Sequence, residues 1–289
     1  MSLSAVEIKN LLNERGIFTT KSKGQNFLID ANIPEKIVRL SGIERTCGVL
    51  EVGPGLGALT VPLSGVAGRV LSIELDSRLL PILSDIVGSL PNVELIHGDV
   101  LKLDIGKMVG ERDAGIKWHV CSNLPYNITT PALTAFFNAG VFDTITVMIQ
   151  REVAGRISAR PGSGEYGAFT VFANYHCSSL ETLFDVPPEC FFPRPAVFSS
   201  VIQMKTRRSR LLAPVDEALF FRVVRAAFGQ RRKTLVNALY AVFGGAMDKG
   251  AVESAVVACG FDPRARGETL GLEEYLRLSA AIATSSPGF

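Results

Sequence analysis

Val49-Leu50-Glu51-Val52-Gly53-Pro54-Gly55-Leu56-Gly57-Ala58 is an apolar run that breaks abruptly into glycines. A short apolar run closed by turn residues fits a strand buried on both faces. The missing side chains at Gly53, Gly55 and Gly57 would let a ligand approach the backbone and the start of a following helix. Gly53, Gly55 and Ala58 also satisfy the GxGxxG/A spacing of a dinucleotide-binding turn. Strand, glycine-rich turn and helix in that order predict the opening unit of an α/β fold.

Further apolar runs follow at Val70–Ile73, Val93–Ile96, Trp118–Cys121 and Ile145–Ile149, with helical-looking segments between them. Strands alternating with helices predict a mostly parallel sheet with right-handed crossovers, so the fold class is α/β. Ligands of such sheets bind beyond the carboxyl ends of the strands. Those ends read Glu51-Val52-Gly53, Glu74-Leu75-Asp76, Gly98-Asp99-Val100, Asn123-Leu124-Pro125-Tyr126 and Gln150-Arg151-Glu152. Glu51 to Glu74 is 23 residues, Glu74 to Asp99 is 25, and Asp99 to Asn123 is 24. That regular repeat predicts one edge collecting three acids and an Asn.

Around this centre the chain is less regular. Ser4 and Glu7 stand in capping-box spacing before Ile8, Leu11 and Leu12, which predicts a lead-in helix. A polar stretch from Thr19 to Gly24 reads as linker. Beyond Glu152 come the flexible-looking loop Arg160-Pro161-Gly162-Ser163-Gly164, then Pro187-Pro188 and Pro193-Arg194-Pro195, and a last strand over Ser200–Met204 that returns to the sheet. From about Asp216 the apolar spacing is helical: Phe220, Val223, Val224 and Phe228; Leu235, Ala238, Leu239 and Phe243; Ala255 to Ala258; Leu272 to Leu276. The expected division is a large domain over 1–207 and a small all-helical domain over 208–289.

The bulk numbers narrow the class. The 289 residues hold five scattered cysteines and no CxxC pair, against a disulfide framework or zinc site. Met1-Ser2-Leu3-Ser4-Ala5-Val6-Glu7 lacks the basic start and apolar stretch of a secretory signal, and no run suits a membrane span, so a cytoplasmic protein without membrane contact is expected; separately, a monomer is expected. The net charge of +2 hides a basic block from Arg194 to Lys233, where ten basic residues face only Asp216 and Glu217. Such a block suits a polyanion.

Glu74 ends the second strand 21 residues after Gly53, where a carboxylate can accept both hydroxyl hydrogens of a ribose. Either NAD or S-adenosylmethionine would fit. Asp99 could accept from the exocyclic amine of the cofactor's adenine, and the next backbone N–H could donate to a ring nitrogen. At Asn123-Leu124-Pro125-Tyr126, the Asn123 side-chain oxygen and the Leu124 carbonyl could each take one N–H of an adenine amine. Its lone pair would then point at a sulfonium methyl, a proximity and orientation effect. Pro125 stiffens the turn and adds no competing donor. Tyr126 offers a face for a splayed-out base, and Phe191 or Phe192 could close the other face. No His, Cys or Ser is placed as a nucleophile, and His97, His119 and His176 show no ligand spacing, so no metal is expected.

Seven segments carry a resemblance over nearly the whole chain: Gly24-Gln25-Asn26-Phe27-Leu28, Glu51 to Gly57, Ile73-Glu74-Leu75-Asp76, Gly98-Asp99-Val100, Asn123 to Pro131, Phe191-Phe192-Pro193-Arg194-Pro195-Ala196-Val197-Phe198-Ser199, and Phe228 to Leu235. Together they resemble the KsgA (RsmA) family of small-subunit ribosomal RNA adenine dimethyltransferases. The resemblance implies a Rossmann-like class I methyltransferase sheet over 1–207, with a helical RNA- and ribosome-binding domain over 208–289. It implies that Asn26, Leu28, Gly53, Glu74, Asp99 and Asn123 contact S-adenosylmethionine. The implied partner is 16S ribosomal RNA in the small subunit or its precursor, with two adjacent adenines of a hairpin near the 3′ end each methylated twice at N6, in subunit biogenesis. Tyr126, Phe191, Arg231, Arg232 and Lys233 are the expected substrate-binding residues. Phe198 and Gly229 stand where relatives of this kind often carry polar residues.

Three alternatives remain distinct. A related large-subunit RNA methyltransferase of antibiotic resistance would typically carry Ile in place of Leu124. A NAD-dependent dehydrogenase would leave the Asn-Leu-Pro-Tyr turn without a role. A ribosome-assembly checkpoint binding through the Arg194–Lys233 block could coexist with catalysis.

Overall fold

The computed structural model describes residues 4–17, 25–112, 115–207, 211 and 216–285. The whole Thr19–Gly24 stretch expected as linker, and Arg208, where the helical domain was expected to begin, lie outside the described residues.

The chain runs α1 (Ala5–Glu14), β1 (Phe27–Leu28), α2 (Asn32–Ser41), β2 (Cys47–Val52), α3 (Thr60–Val66), β3 (Arg69–Glu74), α4 (Leu80–Val87) and β4 (Val93–His97). It continues through α5 (Ile105–Gly110), β5 (Lys117–Asn123), α6 (Thr129–Ala139), β6 (Phe142–Gln150), α7 (Arg151–Ile157), α8 (Ala168–His176), β7 (Cys177–Val186), β8 (Phe191–Phe192) and β9 (Ser199–Thr206). Helices α9 (Glu217–Gly229), α10 (Leu235–Phe243), α11 (Lys249–Ala258) and α12 (Leu272–Ser285) follow. None of these helices is long and apolar enough to cross a membrane.

Seven strands form one sheet in the order β4-β3-β2-β5-β6-β9-β7. From β4 to β6 all neighbours are parallel, while β9 returns antiparallel to β6. Val49, Leu50, Val70 and Leu71 are wholly excluded from solvent. A parallel sheet covered on both faces demands such unbroken apolar runs. The chain places β3 and β4 on one side of β2, then crosses back to set β5 on the other. This reversal opens a crevice beyond the carboxyl ends of β2 and β5.

Each of the six strands read from apolar runs is present, with ends shifted by a few residues. Edge strand β7 was not anticipated: its Cys-Ser-Ser-Leu-Glu-Thr-Leu-Phe-Asp-Val sequence is mostly solvent-facing, so it presents no apolar run. The two-residue strands β1 and β8, which pair antiparallel, are too short for any periodicity. Ser4 and Glu7 do form the expected capping box, with Ser4 N–H donating to Glu7 Oε2 at 2.8 Å and Glu7 N–H to Ser4 Oγ at 3.3 Å.

Two compact units emerge: Met1–Ala154 with Ser178–Thr206, and Gly155–Cys177 with Arg207–Phe289. The segment Gly155–Cys177, assigned above to the large domain, therefore groups with the helices. Tyr166, Val171 and Tyr175 join Phe220, Leu239 and Tyr275 in one apolar core. The Arg160–Gly164 loop is tied within this unit, since Gly162 N–H donates to the Glu268 carbonyl at 2.7 Å.

Gly48 pairs directly with Trp118 in the β2–β5 register. A Cβ at Gly48 would lie 2.7 Å from the indole, which is itself buried. Gly48→Ala should cost roughly 1–3 kcal/mol through overpacking. Urea unfolding checks this as a lowered midpoint with an unchanged slope.

Candidate active site

A cavity of about 300 Å³ lies at the crevice, lined among others by Asn26, Leu28, Gly53, Glu74, Asp99 and Asn123. Leu124, Pro125 and Tyr126 complete that wall. Gly53 and Gly55 adopt φ of 68° and 59°, which side chains rarely tolerate. Space is tight as well: a Cβ would approach Pro125 to 3.3 Å at Gly53 and the Phe27 ring to 3.1 Å at Gly55.

Each strand end aims its polar group differently. Glu74 accepts from Gly55 N–H at 3.2 Å and from Asp76 N–H at 2.8 Å, so its carboxylate is pinned at the mouth of the glycine-rich turn. Burial raises its pKa, and these backbone donors oppose the shift. Asp99, at the loop after β4, accepts from Leu101 N–H at 3.0 Å. Asn123 Nδ2 donates to the Asn26 carbonyl at 3.3 Å. That bond orients the amide and leaves Oδ1 as its acceptor. Tyr126 shares a 2.7 Å hydrogen bond with the Ser199 hydroxyl, and burial raises its pKa.

Several of these partners escaped the sequence reading. Gln25 Nε2 donates to the buried Asp76 at 3.1 Å, and Asp76 also holds Arg78 at 2.7 Å. Ser122 Oγ accepts from Val52 N–H at 2.9 Å. A small hydroxyl inside an apolar strand was the available signal at Ser122, as at Ser72.

The expected substrate-binding residues are not all alike. Phe191 is 3% exposed, packed in the core with Leu28, Ile37 and Val201, and does not line the cavity. Its apolar surface is thus already buried against the β1 partner strand. Arg231 donates to the Gly164 carbonyl at 3.0 Å and the Tyr166 carbonyl at 2.6 Å, fastening the loop before α8. Arg232 and Lys233 are exposed. Among the described residues no cluster of three or more His, Cys, Asp or Glu could hold a metal ion.

The family described as Ribosomal RNA adenine dimethylase matches residues 18–262. A relative from Shouchella clausii, named Ribosomal RNA small subunit methyltransferase A, is 45% identical over 274 residues, covering 94% of this chain and 92% of its own. A dimethyladenosine transferase from Plasmodium falciparum shares the fold at TM-score 0.77 and 22% identity, over 90% of this chain and 98% of its own. The 23S rRNA methyltransferase ErmE is similar at TM-score 0.66 and 25% identity, over 89% of this chain and 99% of its own.

Behind the turn, Glu51 is 1% exposed. One of its oxygens accepts from the Thr60 and Ser72 hydroxyls, each at 2.7 Å. Burial pushes its pKa up to about 7 from 4.5, despite those two hydroxyls. As pH rises from about 4.5 to 7, the unfolded chain releases this proton while the folded chain retains it. Glu51 therefore contributes stability below that window and loses it across the window, by at most about 3 kcal/mol. Glu51→Gln has no proton to release, so urea midpoints measured from pH 5 to 7.5 should fall less steeply in the variant. Parallel curves would reject the assignment of that slope to Glu51.

Proposed function

The chain belongs to the ribosomal RNA adenine dimethylase family, and we propose that it uses S-adenosylmethionine to methylate N6 of two adjacent adenines in a hairpin near the 3′ end of 16S RNA, twice each. The observation that carries this reading is the orientation of the Asn123 amide by the Asn26 carbonyl, which reserves Oδ1 for an amine. An adenine amine is a poor nucleophile because its lone pair is delocalised into the ring. Asn123 Oδ1 and the Leu124 carbonyl would each accept one of its hydrogens and draw the nitrogen toward tetrahedral geometry. Effective alignment of this kind can replace acid, base or covalent catalysis.

The cavity fits the cofactor. Glu74 at the end of β3 and Asp99 just beyond the adjacent parallel β4 stand beside a turn whose glycines hold positive φ, which suits a ribose hydroxyl pair and an adenine amine respectively. Asn26, Leu28, Gly53 and Asn123 would line the remainder. When bound, S-adenosylmethionine supplies a methyl group activated on a sulfonium. Tyr126 would stack on the target base, a contact worth about 1–3 kcal/mol, with its ring held by Ser199.

Two facts favour the small subunit over the large. The 45% identical relative carries the small subunit in its name, and the 23S enzyme is only 25% identical. The reading places the protein with assembling small subunits in the cytoplasm.

Asn123→Ala should abolish methyl transfer while changing cofactor affinity by no more than about tenfold, because the lost contacts are mainly to the amine. Mass spectrometry of 16S RNA fragments and calorimetry with S-adenosylmethionine measure the two halves; normal turnover would sink the mechanism. Replacing both Arg232 and Lys233 with Glu should weaken binding to undermethylated small subunits and lower the salt slope by about two. Arg231→Glu should instead reduce the stability of the helical unit, seen as a lower unfolding midpoint.

A further inference from the structure

Every residue lining the cavity lies between Ile8 and Ile128 in the chain, so neither β6 nor β9 contributes to it. The carboxyl end of β6 and the start of β9 follow the end of β5 along the same sheet edge. Antiparallel pairing of Gln150 with Ser199 sets Arg151 and Phe198 side by side at this rim. Arg151 N–H donates to the Phe198 carbonyl at 2.9 Å. The Arg151 guanidinium carbon lies 4.7 Å from the centre of the Phe198 ring. Ser199, the next residue, is the one that tethers the Tyr126 hydroxyl. Phe198 is nevertheless 40% exposed, and Arg151 is exposed as well.

We infer that Phe198 and Arg151 form a platform for the nucleotide adjoining the target adenine, the ring stacking on its base and the guanidinium facing its phosphate. This rests on the reading above that the substrate is an adenine in RNA. An exposed aromatic ring is a stacking surface for any base, and a guanidinium matches phosphate geometry while lying flat on a ring. Two strand spacings separate Asn123 from the Phe198 edge, on the order of 10 Å. A neighbouring nucleotide covers that reach once the target base is turned out of its stack. Phe198 and Arg151 touch neither the amine nor the methyl group, so they are positioning residues. They favour an adenine with an unstacked neighbour over an isolated one.

The test is steady-state methylation of undermethylated small subunits by the full chain carrying Phe198→Ala, Phe198→Leu or Phe198→Trp. Loss of stacking should raise KM for the particle about tenfold in the Ala and Leu variants. The kcat should stay within about twofold and the affinity for S-adenosylmethionine should not move, since a uniform binding contact is removed. Phe198→Trp should restore KM, and the Leu variant preserves the bulk of the side chain if Ala disturbs folding. Equal KM for wild type and the Leu variant, with wild type active, would overturn the platform alone. No methyl transfer by the unsubstituted chain would overturn the underlying reading and the platform with it.

Discussion

A Cβ at Gly53 would stand 3.3 Å from Pro125, and this near-contact between the turns after β2 and β5 is the constraint on which the site depends. Those strands are neighbours only because the chain crosses back over β2 after completing β4. The crossing brings a glycine turn with positive φ against a proline that has no N–H and little freedom. A third segment is fastened to the pair, because Asn123 Nδ2 reaches the Asn26 carbonyl beside β1. Catalysis by alignment requires such rigidity, since misplacement by about 1 Å can remove most of the benefit.

The two glutamates beside this turn show how environment separates identical side chains. Glu74 accepts from the N–H groups of Gly55 and Asp76 while facing the cavity, so the backbone offsets part of the burial that raises its pKa. Glu51 sits deeper, held by Thr60 and Ser72, and burial makes its neutral form accessible near neutral pH. Removing a carboxylate from water costs several kcal/mol unless donors replace the lost solvation. The hydroxyls behind the turn supply those donors. Ser122 Oγ instead accepts, from Val52 N–H at the β2–β5 junction, so that buried donor is engaged rather than orphaned.

Basic residues of the helical unit also divide by environment. Arg231 spends its guanidinium on the Gly164 and Tyr166 carbonyls, while Tyr166 donates its hydroxyl to the Leu270 carbonyl at 2.9 Å. Together with the Gly162–Glu268 bond, these contacts turn a Pro- and Gly-rich loop into part of a packed unit. Arg232 and Lys233, one and two residues further on, are exposed like Arg231 but make no such fastening among the described residues. A run of like charges in sequence is therefore not a uniform surface in space.

Fold class, six strands of the main sheet and the helices from Phe220 onward were legible in the sequence, because buried parallel strands and amphipathic helices each impose their period on the residues. The glycines after Val52 and the acids at Glu74 and Asp99 were legible too, since regular strand–helix repeats put strand ends on one edge. Strand β7 was hidden by its solvent-facing side chains, and Gly155–Cys177 was misassigned because local spacing carries no information about which core a segment joins. Tertiary structure alone decided that Phe191 is core, that Arg231 is a fastening, and that Ser199 and Asn26 orient Tyr126 and Asn123. Each of those outcomes depends on contacts between residues 65 to 97 positions apart or on packing across strands, which no periodicity in the chain can record.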